Sequence, residues 1–265
     1  MYPTLIKIGN FEITTFGLMM FLAFVVAGWV LSRQFRRYGL SDDAASSMVM
    51  AAAIGGIVGA KIYYAILLRD WHLLFTRAGL VWYGGLIGGT LACSLYLRAQ
   101  RIDYLKAVDA ASPALAIGYS LGRIGCFLVG DDYGRPTDSW AGIAFPKGAP
   151  PTTAEELRHF GVKVDPSIPD YTLLRVHPTQ LYESAAALVM FFILMRAARK
   201  PHPKGRVFGL FLILMGIERF LVEFVRAKDD RFLGPFTVAQ AISVLLVMAG
   251  IWLSARRAPV VQAAA

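Results

Sequence analysis

The chain has 265 residues, of which 56% are hydrophobic and 17% are charged, and it carries a formal net charge of +9. This apolar content exceeds that of a soluble core, so the composition predicts a single polytopic membrane domain over residues 1–265. The cations lie between apolar runs and no nucleic-acid recognition module is present, so no nucleic-acid partner is expected.

Seven apolar runs have the length that a helix needs to cross a hydrocarbon core about 30 Å thick. They cover residues 16–31, 44–68, 81–97, 107–121, 179–195, 207–225 and 237–254. The first run is followed by arginines and preceded by a single lysine, the reverse of a secretory signal, so we expect it to remain as a spanning helix. The predicted fold class is an all-α integral membrane protein with seven transmembrane helices.

The cations are divided unequally between the two sets of connections. One set carries thirteen: Arg33, Arg36, Arg37, Arg98, Arg101, Lys106, Arg196, Arg199, Lys200, Lys204, Arg206, Arg256 and Arg257. The other set carries six: Lys7, Arg69, Arg77, Arg226, Lys228 and Arg231. By the positive-inside rule, the N-terminus is expected outside and the C-terminus in the cytoplasm.

Small residues recur at four-residue spacing, which predicts close packing of helix backbones. The pairs are Gly55 with Gly59, Gly84 with Gly88, Gly85 with Gly89, and Gly118 with Gly122. Residues 118–122 also match Gly-x-Ser-x-Gly, and an intramembrane hydrolase pairing Ser120 with His177 stays open as an alternative. Cys93 and Cys126 are isolated, so neither a disulfide nor a metal site is predicted.

The segment Gly122–Arg135 follows the fourth run and combines Arg123 and Arg135 with two carboxylates and four glycines. Guanidinium forks suit phosphate oxygens, and glycines let backbone N–H groups approach a ligand, so the segment predicts capture of an anionic lipid headgroup.

The connection from Gly122 to Pro178 is too long and proline-rich for a tight turn. We interpret residues 136–176 as a small extracytoplasmic head between spans four and five. The capping-box spacing of Thr153 to Glu156 predicts a short helix through Leu157 to Phe160. A flexible surface loop over 146–176 is the alternative.

Five ionisable residues lie within or near apolar runs, where an unpaired charge costs about 3 kcal/mol. They are Lys61, Glu183, Glu218, Arg219 and Glu223. Arg219, Glu223 and Arg226 follow i, i+4, i+7 spacing, so they are expected on one helical face as a phosphate clamp. An interhelical salt-bridge network with only a structural role is the alternative.

Two helix starts carry further polar or aromatic residues. His177–Glu183 opens the fifth span, where free N–H groups favour an anion, although a structural histidine is the commoner outcome. Trp82 and Tyr83 open the third span, where an interfacial anchoring role is as plausible as a catalytic one.

Together, these segments resemble the bacterial prolipoprotein diacylglyceryl transferases. The resemblance is carried by Gly122–Arg135, His177–Glu183 and Arg219–Arg226, with further matches at Phe16–Met19, Gly59–Ile62, Tyr83–Gly88 and Gln240. It implies a multi-pass enzyme of the bacterial cytoplasmic (inner) membrane without a cofactor. The enzyme would move a diacylglyceryl group from phosphatidylglycerol to the lipobox cysteine thiol of a prolipoprotein signal peptide, releasing glycerol phosphate.

The resemblance also implies roles for individual residues. The catalytic set is Arg123, Arg219, Glu223, Tyr83 and Asp131; the phospholipid-binding set is Arg123, Gly134, Arg135, Lys61 and Arg226; the substrate-positioning set is His177, Gln180, Tyr182, Glu183 and Gln240. Arg123 would bind the lipid phosphate, and Arg219, held by Glu223, would stabilise the leaving phosphate.

The chain departs from the usual family pattern at five positions. Tyr83 replaces histidine, Cys126 asparagine, Asp131 glutamate, Phe16 tyrosine and Lys61 arginine. Tyrosine, with a pKa near 10, is a poorer base at neutral pH than histidine, so Asp131 or a water is the expected proton acceptor. A divergent paralogue with another lipid or acceptor, and a non-catalytic protein that binds phospholipid or signal peptide, stay open as alternatives.

Overall fold

The computed structural model describes residues 4–8, 11–76, 79–227, 231–233, 236–256 and 258–261. Eight α-helices form within these residues: α1 (Thr15–Arg37), α2 (Asp42–Leu68), α3 (Trp82–Ala99), α4 (Tyr104–Val129), α5 (Ala154–His159), α6 (Thr179–Ala197), α7 (Arg206–Val222) and α8 (Val238–Ala255). A 3-10 helix covers Trp71–Phe75. Of the cations counted above, Arg77, Lys228 and Arg257 lie outside the described residues.

Short antiparallel strand pairs flank the helices. They are β1 (Thr4–Ile8) with β2 (Phe11–Thr14), β3 (His202–Pro203) with β6 (Val260–Val261), and β4 (Arg231–Leu233) with β5 (Phe236–Thr237). The sequence interpretation gave these segments no structure, because each pair is too short to produce a clear alternating pattern.

All seven predicted apolar runs are helical, and the chain is a multi-pass membrane protein. Five helices, namely α1, α2, α4, α6 and α8, are long and apolar enough to cross a membrane, within the described part of the chain. The other two, α3 and α7, have 18 and 17 residues and do not meet both conditions. The seven-span count and the orientation of the termini therefore stay predictions.

Helix α4 is longer than expected. The fourth run was predicted to end near residue 121, but α4 continues to Val129 and ends at Gly130 in the left-handed conformation. Gly125 was expected in the segment that approaches a ligand, yet it packs against α1, whereas Gly122 lies inside α4, as its pairing with Gly118 predicted. A Cβ on Gly125 would lie 3.0 Å from the Cβ of Met19. Arg123 and Cys126 consequently lie on a helix and not in a loop.

The glycine pairs of α2 and α3 pack face to face. A Cβ on Gly59 would lie 2.3 Å from the carbonyl oxygen of Gly84, and a Cβ on Gly88 would lie 2.3 Å from that of Gly55. The packing role predicted for these pairs is confirmed. On the other side of the bundle, α4 packs against α1, α6 and α7, so it forms the centre of the helix assembly.

Residues 136–176 pack around a separate small core. Tyr133, Phe145, Leu157 and Val176 are buried there together. Helix α5 begins where the capping box predicted, because the Thr153 hydroxyl accepts a hydrogen bond from the backbone N–H of Glu156. The segment is a packed unit, which favours the head over the surface-loop alternative.

Candidate active site

Charged side chains from α4, α6 and α7 meet at one end of the bundle. Arg123 is one and a half turns from the end of α4, Glu183 lies in the second turn of α6, and Arg219 is in the last turn of α7. Glu223 caps α7, and Arg226 follows it, next to the packed head. The meeting point depends on the extended α4, which carries Arg123 to the start of α6.

Arg123 is the most buried arginine of this group, with 8% of its surface exposed. Its Nη2 forms an ion pair with Oε2 of Glu183, which is 1% exposed. Its Nη1 donates a hydrogen bond to Oδ2 of Asp132 at 3.0 Å. Asp132 has a left-handed backbone with φ of 56°, and its carbonyl accepts a hydrogen bond from Thr179 Oγ1, which fixes the carboxylate beside Arg123.

Arg226 approaches the same carboxylates from the other side. Its Nη2 lies 3.0 Å from Asp132 Oδ1, its Nη1 lies 3.8 Å from Glu183 Oε1, and its Nε lies 3.9 Å from Glu223 Oε2. Asp132 and Glu183 therefore bridge two arginines each. The expected helical face is wrong in one respect, because α7 ends at Val222 and Arg226 arrives from beyond the helix end.

Arg219 completes the series. Its Nη2 lies 2.7 Å from Glu223 Oε2 in the predicted i, i+4 pair. A continuous chain of ion pairs thus runs from Arg123 through Glu183, Arg226 and Glu223 to Arg219, and we call these five residues with Asp132 the arginine cluster. The structure therefore places Arg123 and Arg219 in one cluster, as the sequence interpretation required.

Two guanidinium nitrogens of the cluster are buried with neither a hydrogen-bond acceptor nor an ion-pair partner in the described structure. They are Arg123 Nε and Arg219 Nη1. Buried donors are nearly always paired in folded proteins, so unpaired ones call for an explanation such as a missing ligand. A purely structural salt-bridge network explains the ion pairs but not these two donors.

Glu218 is a further buried acid beside the cluster. It is 7% exposed, neither of its carboxylate oxygens has a hydrogen-bond partner within the described residues, and it feels the charges of Arg219, Arg123 and Arg226. The sequence interpretation placed Glu218 about 100° from Arg219 around the helix. That rotation does not separate the two residues, because the arginine side chains are long enough to reach around α7.

Asp131 and Cys126 lie at the edge of the cluster. Burial raises the pKa of the Asp131 carboxyl, and the neighbouring Asp132 raises it further. Burial would also raise the pKa of Asp132, but the charges of Arg226 and Arg123 outweigh it and lower that pKa. Ligand-type atoms of Cys126, Asp131 and Asp132 lie within 4.8 Å of one another. Both oxygens of Asp132 already accept from arginines, so we assign no metal here.

Gly134 and Arg135 hold the loop that positions Arg226. Arg135 Nε donates to the carbonyl of Arg226 at 2.9 Å, and the Gly134 N–H donates to the carbonyl of His177 at 2.8 Å. A Cβ on Gly134 would lie 2.5 Å from the carbonyl oxygen of Val225, so only glycine fits. These contacts give both residues a clear positioning role.

The start of α6 packs against the loop that carries Asp131. Gln180 is buried and its Nε2 donates to the carbonyl of Asp131, while His177 Nδ1 lies 3.3 Å from the Tyr182 hydroxyl. Ser120 Oγ donates to the carbonyl of Ser184 at 2.9 Å. The hydrolase alternative is wrong, because Ser120 pairs with Ser184 and His177 pairs with Tyr182.

Similarity to known proteins identifies the family. The family model for prolipoprotein diacylglyceryl transferase matches residues 3–256. The chain is 31% identical over 258 aligned positions to the phosphatidylglycerol–prolipoprotein diacylglyceryl transferase of Clostridium tetani, covering 95% of this chain and 96% of that one. It is 34% identical over 287 positions to the protein of the same name from Xylella fastidiosa, covering 98% and 94%. The chain belongs to the prolipoprotein diacylglyceryl transferase family.

Three residues that the resemblance to prolipoprotein diacylglyceryl transferases implicated have their described contacts elsewhere. Tyr83 is half-exposed at the start of α3, where its ring packs edge-on against Trp82. Lys61 Nζ donates to the carbonyl of Thr76 at 2.5 Å, which ties α2 to the loop after it. Gln240 is buried and forms a capping box with Thr237 at the start of α8.

Asp132 is the site residue that sequence reasoning did not single out. It carries the hydrogen bonds of Arg123 and Arg226, yet the family pattern directed attention to its neighbour Asp131. The sequence signal for Asp132 was its place in the adjacent pair Asp131–Asp132 after Gly130, because two successive residues of a loop can direct their carboxylates to different sides. One sequence could not show that Arg123 and Arg226, which are distant along the chain, both reach Asp132.

Proposed function

We propose that the chain transfers a diacylglyceryl group from phosphatidylglycerol to the lipobox cysteine thiol of a prolipoprotein, forming a thioether and releasing glycerol phosphate. The full-length relatives are named for phosphatidylglycerol and prolipoprotein as substrates. The observation that carries the proposal is that two buried guanidinium nitrogens of one ion-pair cluster, Arg123 Nε and Arg219 Nη1, have no hydrogen-bond partner among the residues that the structure describes.

The proposed membrane arrangement has seven spanning helices in the bacterial cytoplasmic (inner) membrane, with the N-terminus outside and the C-terminus in the cytoplasm. The uneven distribution of cations supports this orientation. In this arrangement, residues 136–176 form an extracytoplasmic head over the arginine cluster. The acceptor is a signal peptide that crosses the membrane. It would then meet the donor lipid near the outer leaflet.

The reaction needs hydrogen-bond donors that face the phosphate and an acceptor for the thiol proton. The thiol sulfur attacks the glycerol carbon that bears the phosphate, a carbon–sulfur bond forms, and the carbon–oxygen bond to phosphate breaks. The leaving glycerol phosphate carries the electron pair of the broken bond, so donors that face the phosphate accelerate the step. Arg123 and Arg219 would supply these donors, while Glu183, Asp132 and Glu223 fix the guanidinium planes before the substrate binds.

The thiol proton needs an acceptor, and we assign Asp131. It is partly buried, its Oδ1 has no described partner, and its raised pKa makes it a stronger base than an ordinary carboxylate. Tyr83, with its contact to Trp82, would serve at most in substrate orientation.

The test uses the purified full chain with labelled phosphatidylglycerol and a peptide that contains a lipobox cysteine. We expect a thioether-linked diacylglyceryl peptide in the mass spectrum, and a transfer rate that is lower by about 1,000-fold for Arg123→Gln and strongly lowered for Arg219→Gln. Arg199→Gln, which changes an exposed arginine at the other end of the bundle, is the control and should retain full transfer. Lipid binding without product would favour the non-catalytic alternative, and product from phosphatidylethanolamine alone would favour the divergent paralogue.

A further inference from the structure

A second basic site lies at the opposite end of the bundle, between the end of α6 and the start of α7. A cavity of about 510 Å³ is lined there by Arg196, Lys200 and Arg206 on one side and by aliphatic side chains, including Ile193, Leu210 and Ile213, on the other. His202 closes the cavity toward the protein interior. Neither substrate proposed above uses this cavity.

Two cations on the same side have carboxylate partners, whereas the three that line the cavity have none among the described residues. Lys204 lies 2.5 Å from Asp103, and Arg36 lies 2.8 Å from Asp42. Arg196, Lys200 and Arg206, by contrast, take part in no ion pair of the described structure. The N-terminus of α7 adds no free positive potential, because the Asp109 carboxylate accepts hydrogen bonds from the backbone N–H groups of Gly205 and Phe208. The three side chains are therefore the cationic groups that line the mouth of the cavity.

The apolar wall gives the site a direction. Leu210 and Ile213 are one turn apart on α7, and Ile193 lies one turn before Arg196 on α6. The aliphatic groove thus runs from the cations toward the middle of the helices, over about 10 Å between Arg206 and Ile213. A ligand that fits must have an anionic group at one end and an apolar chain at the other.

We propose that this cavity binds one anionic phospholipid from the leaflet opposite to the active site. The phosphate lies on Arg196, Lys200 and Arg206, and one acyl chain follows the groove between α6 and α7. The proposal rests on the membrane orientation given under the proposed function, which places this end at the cytoplasmic face. Basic pockets between helices on that face are suited to anionic headgroups.

The test labels the full chain in vesicles with a photoactivatable phosphatidylglycerol and maps the cross-linked residues by mass spectrometry. We expect label between Ile193 and Ile213, competed by unlabelled phosphatidylglycerol but not by phosphatidylcholine. The substitution of all three cations by glutamine should weaken this labelling by about 100-fold. The triple control Arg98→Gln, Lys106→Gln and Arg199→Gln removes the same charge from the same side outside the cavity and should change it by less than about twofold.

A second variant, Leu210→Trp, keeps the cations and fills the groove, so it should also reduce the labelling. Equal competition by unlabelled phosphatidylglycerol and phosphatidylcholine, or an equal loss of labelling in the control triple, would overturn the proposal in favour of a general topological role for the cations. Label on residues near Arg123 reports the active site separately, so failure of the proposed transfer reaction and failure of this second site are distinguishable.

Discussion

Two buried acids at opposite ends of the bundle, Asp109 and Glu218, are satisfied differently, although Arg37 Nη1 at the Asp109 end also has no hydrogen-bond partner among the described residues. At one end, Asp109 is fully buried and accepts hydrogen bonds from the backbone N–H groups of Gly205 at 2.6 Å and Phe208 at 2.8 Å. His202 lies beside it and places its Nε2 2.8 Å from the Tyr38 hydroxyl. At the other end, Arg123 Nε and Arg219 Nη1 of the arginine cluster and both oxygens of the neighbouring Glu218 have no hydrogen-bond partner in the described part of the chain.

We infer from this difference that Asp109 has a structural role and that the arginine cluster has a role in ligand binding. Asp109 caps the start of α7, so its negative charge is stabilised by backbone N–H groups of the protein itself. The arginine cluster holds unpaired donors in a buried place, an arrangement that costs stability and is retained where a ligand completes it. Substitutions at the two ends should therefore affect different measurements.

The largest effect is expected for Arg123→Gln. Loss of the guanidinium removes a phosphate donor, so transfer should fall by about 1,000-fold. It also leaves Glu183 buried without its closest partner, which should lower the free energy of unfolding by about 3 kcal/mol. Addition of Glu183→Gln should restore stability but not transfer. Transfer rates and thermal unfolding of both variants are the measurement, and recovery of transfer in the double variant would show that Arg123 has only a structural role.

The next effect concerns Asp131 and pH. A proton acceptor must be ionised, so transfer should rise with pH through the raised pKa of Asp131 and level off above it. Asp131→Asn should remove this acidic limb and lower the plateau by about 100-fold. The pH dependence of kcat/KM is the measurement, with exposed Asp138→Asn as the control. An unchanged acidic limb in Asp131→Asn would assign the proton to another group.

Asp109→Asn should change stability and not chemistry. The amide NH₂ group would face a backbone donor that the carboxylate now accepts from, which should cost about 2 kcal/mol of unfolding free energy. Transfer per folded molecule should be unchanged. Exposed Asp43→Asn, at the start of α2, should cost less than about 0.5 kcal/mol. A loss of transfer in Asp109→Asn without a loss of stability would contradict the division between the two ends.

The smallest effect is expected for Tyr83→Phe. Since the described contact of Tyr83 is with Trp82, removal of its hydroxyl should change transfer by less than about threefold. Tyr83→His serves as the companion variant, because it restores the residue usual in the family. A large change of rate in either variant would mean that Tyr83 takes part in the chemistry.

The sequence predicted the helices well because length and apolar content determine them. It failed at the end of α4, where Gly125 was expected beside a ligand but packs closely against Met19. It also extended α7 through Val225, because the apolar run continues beyond the point where the helix ends at Val222. Neither packing distances nor helix ends inside an apolar run are visible in one sequence.

The sequence predicted which charged residues form the site better than it predicted which of them form ion pairs with each other. Glu183, Arg219 and Glu223 stood out because a membrane segment rarely keeps charges without a reason. Arg123 stood out through the glycine-rich segment that contains it, and Arg226 through its helical spacing from Arg219. Their order in the chain of ion pairs depends on three helices that are distant in sequence. Asp132 and the orientation of Glu218 follow from that arrangement, so only the structure could supply them. The catalytic roles of these residues stay predictions.

The most direct test of the central claim is a double-mutant cycle of Arg123→Gln and Arg219→Gln on kcat/KM for transfer from phosphatidylglycerol, with the same cycle on thermal stability as reference. Two guanidinium groups that hold one phosphate should show a coupling of at least about 1 kcal/mol in kcat/KM beyond any coupling in stability. Losses that add within about 0.5 kcal/mol would mean that the two arginines act on separate groups and would contradict the account.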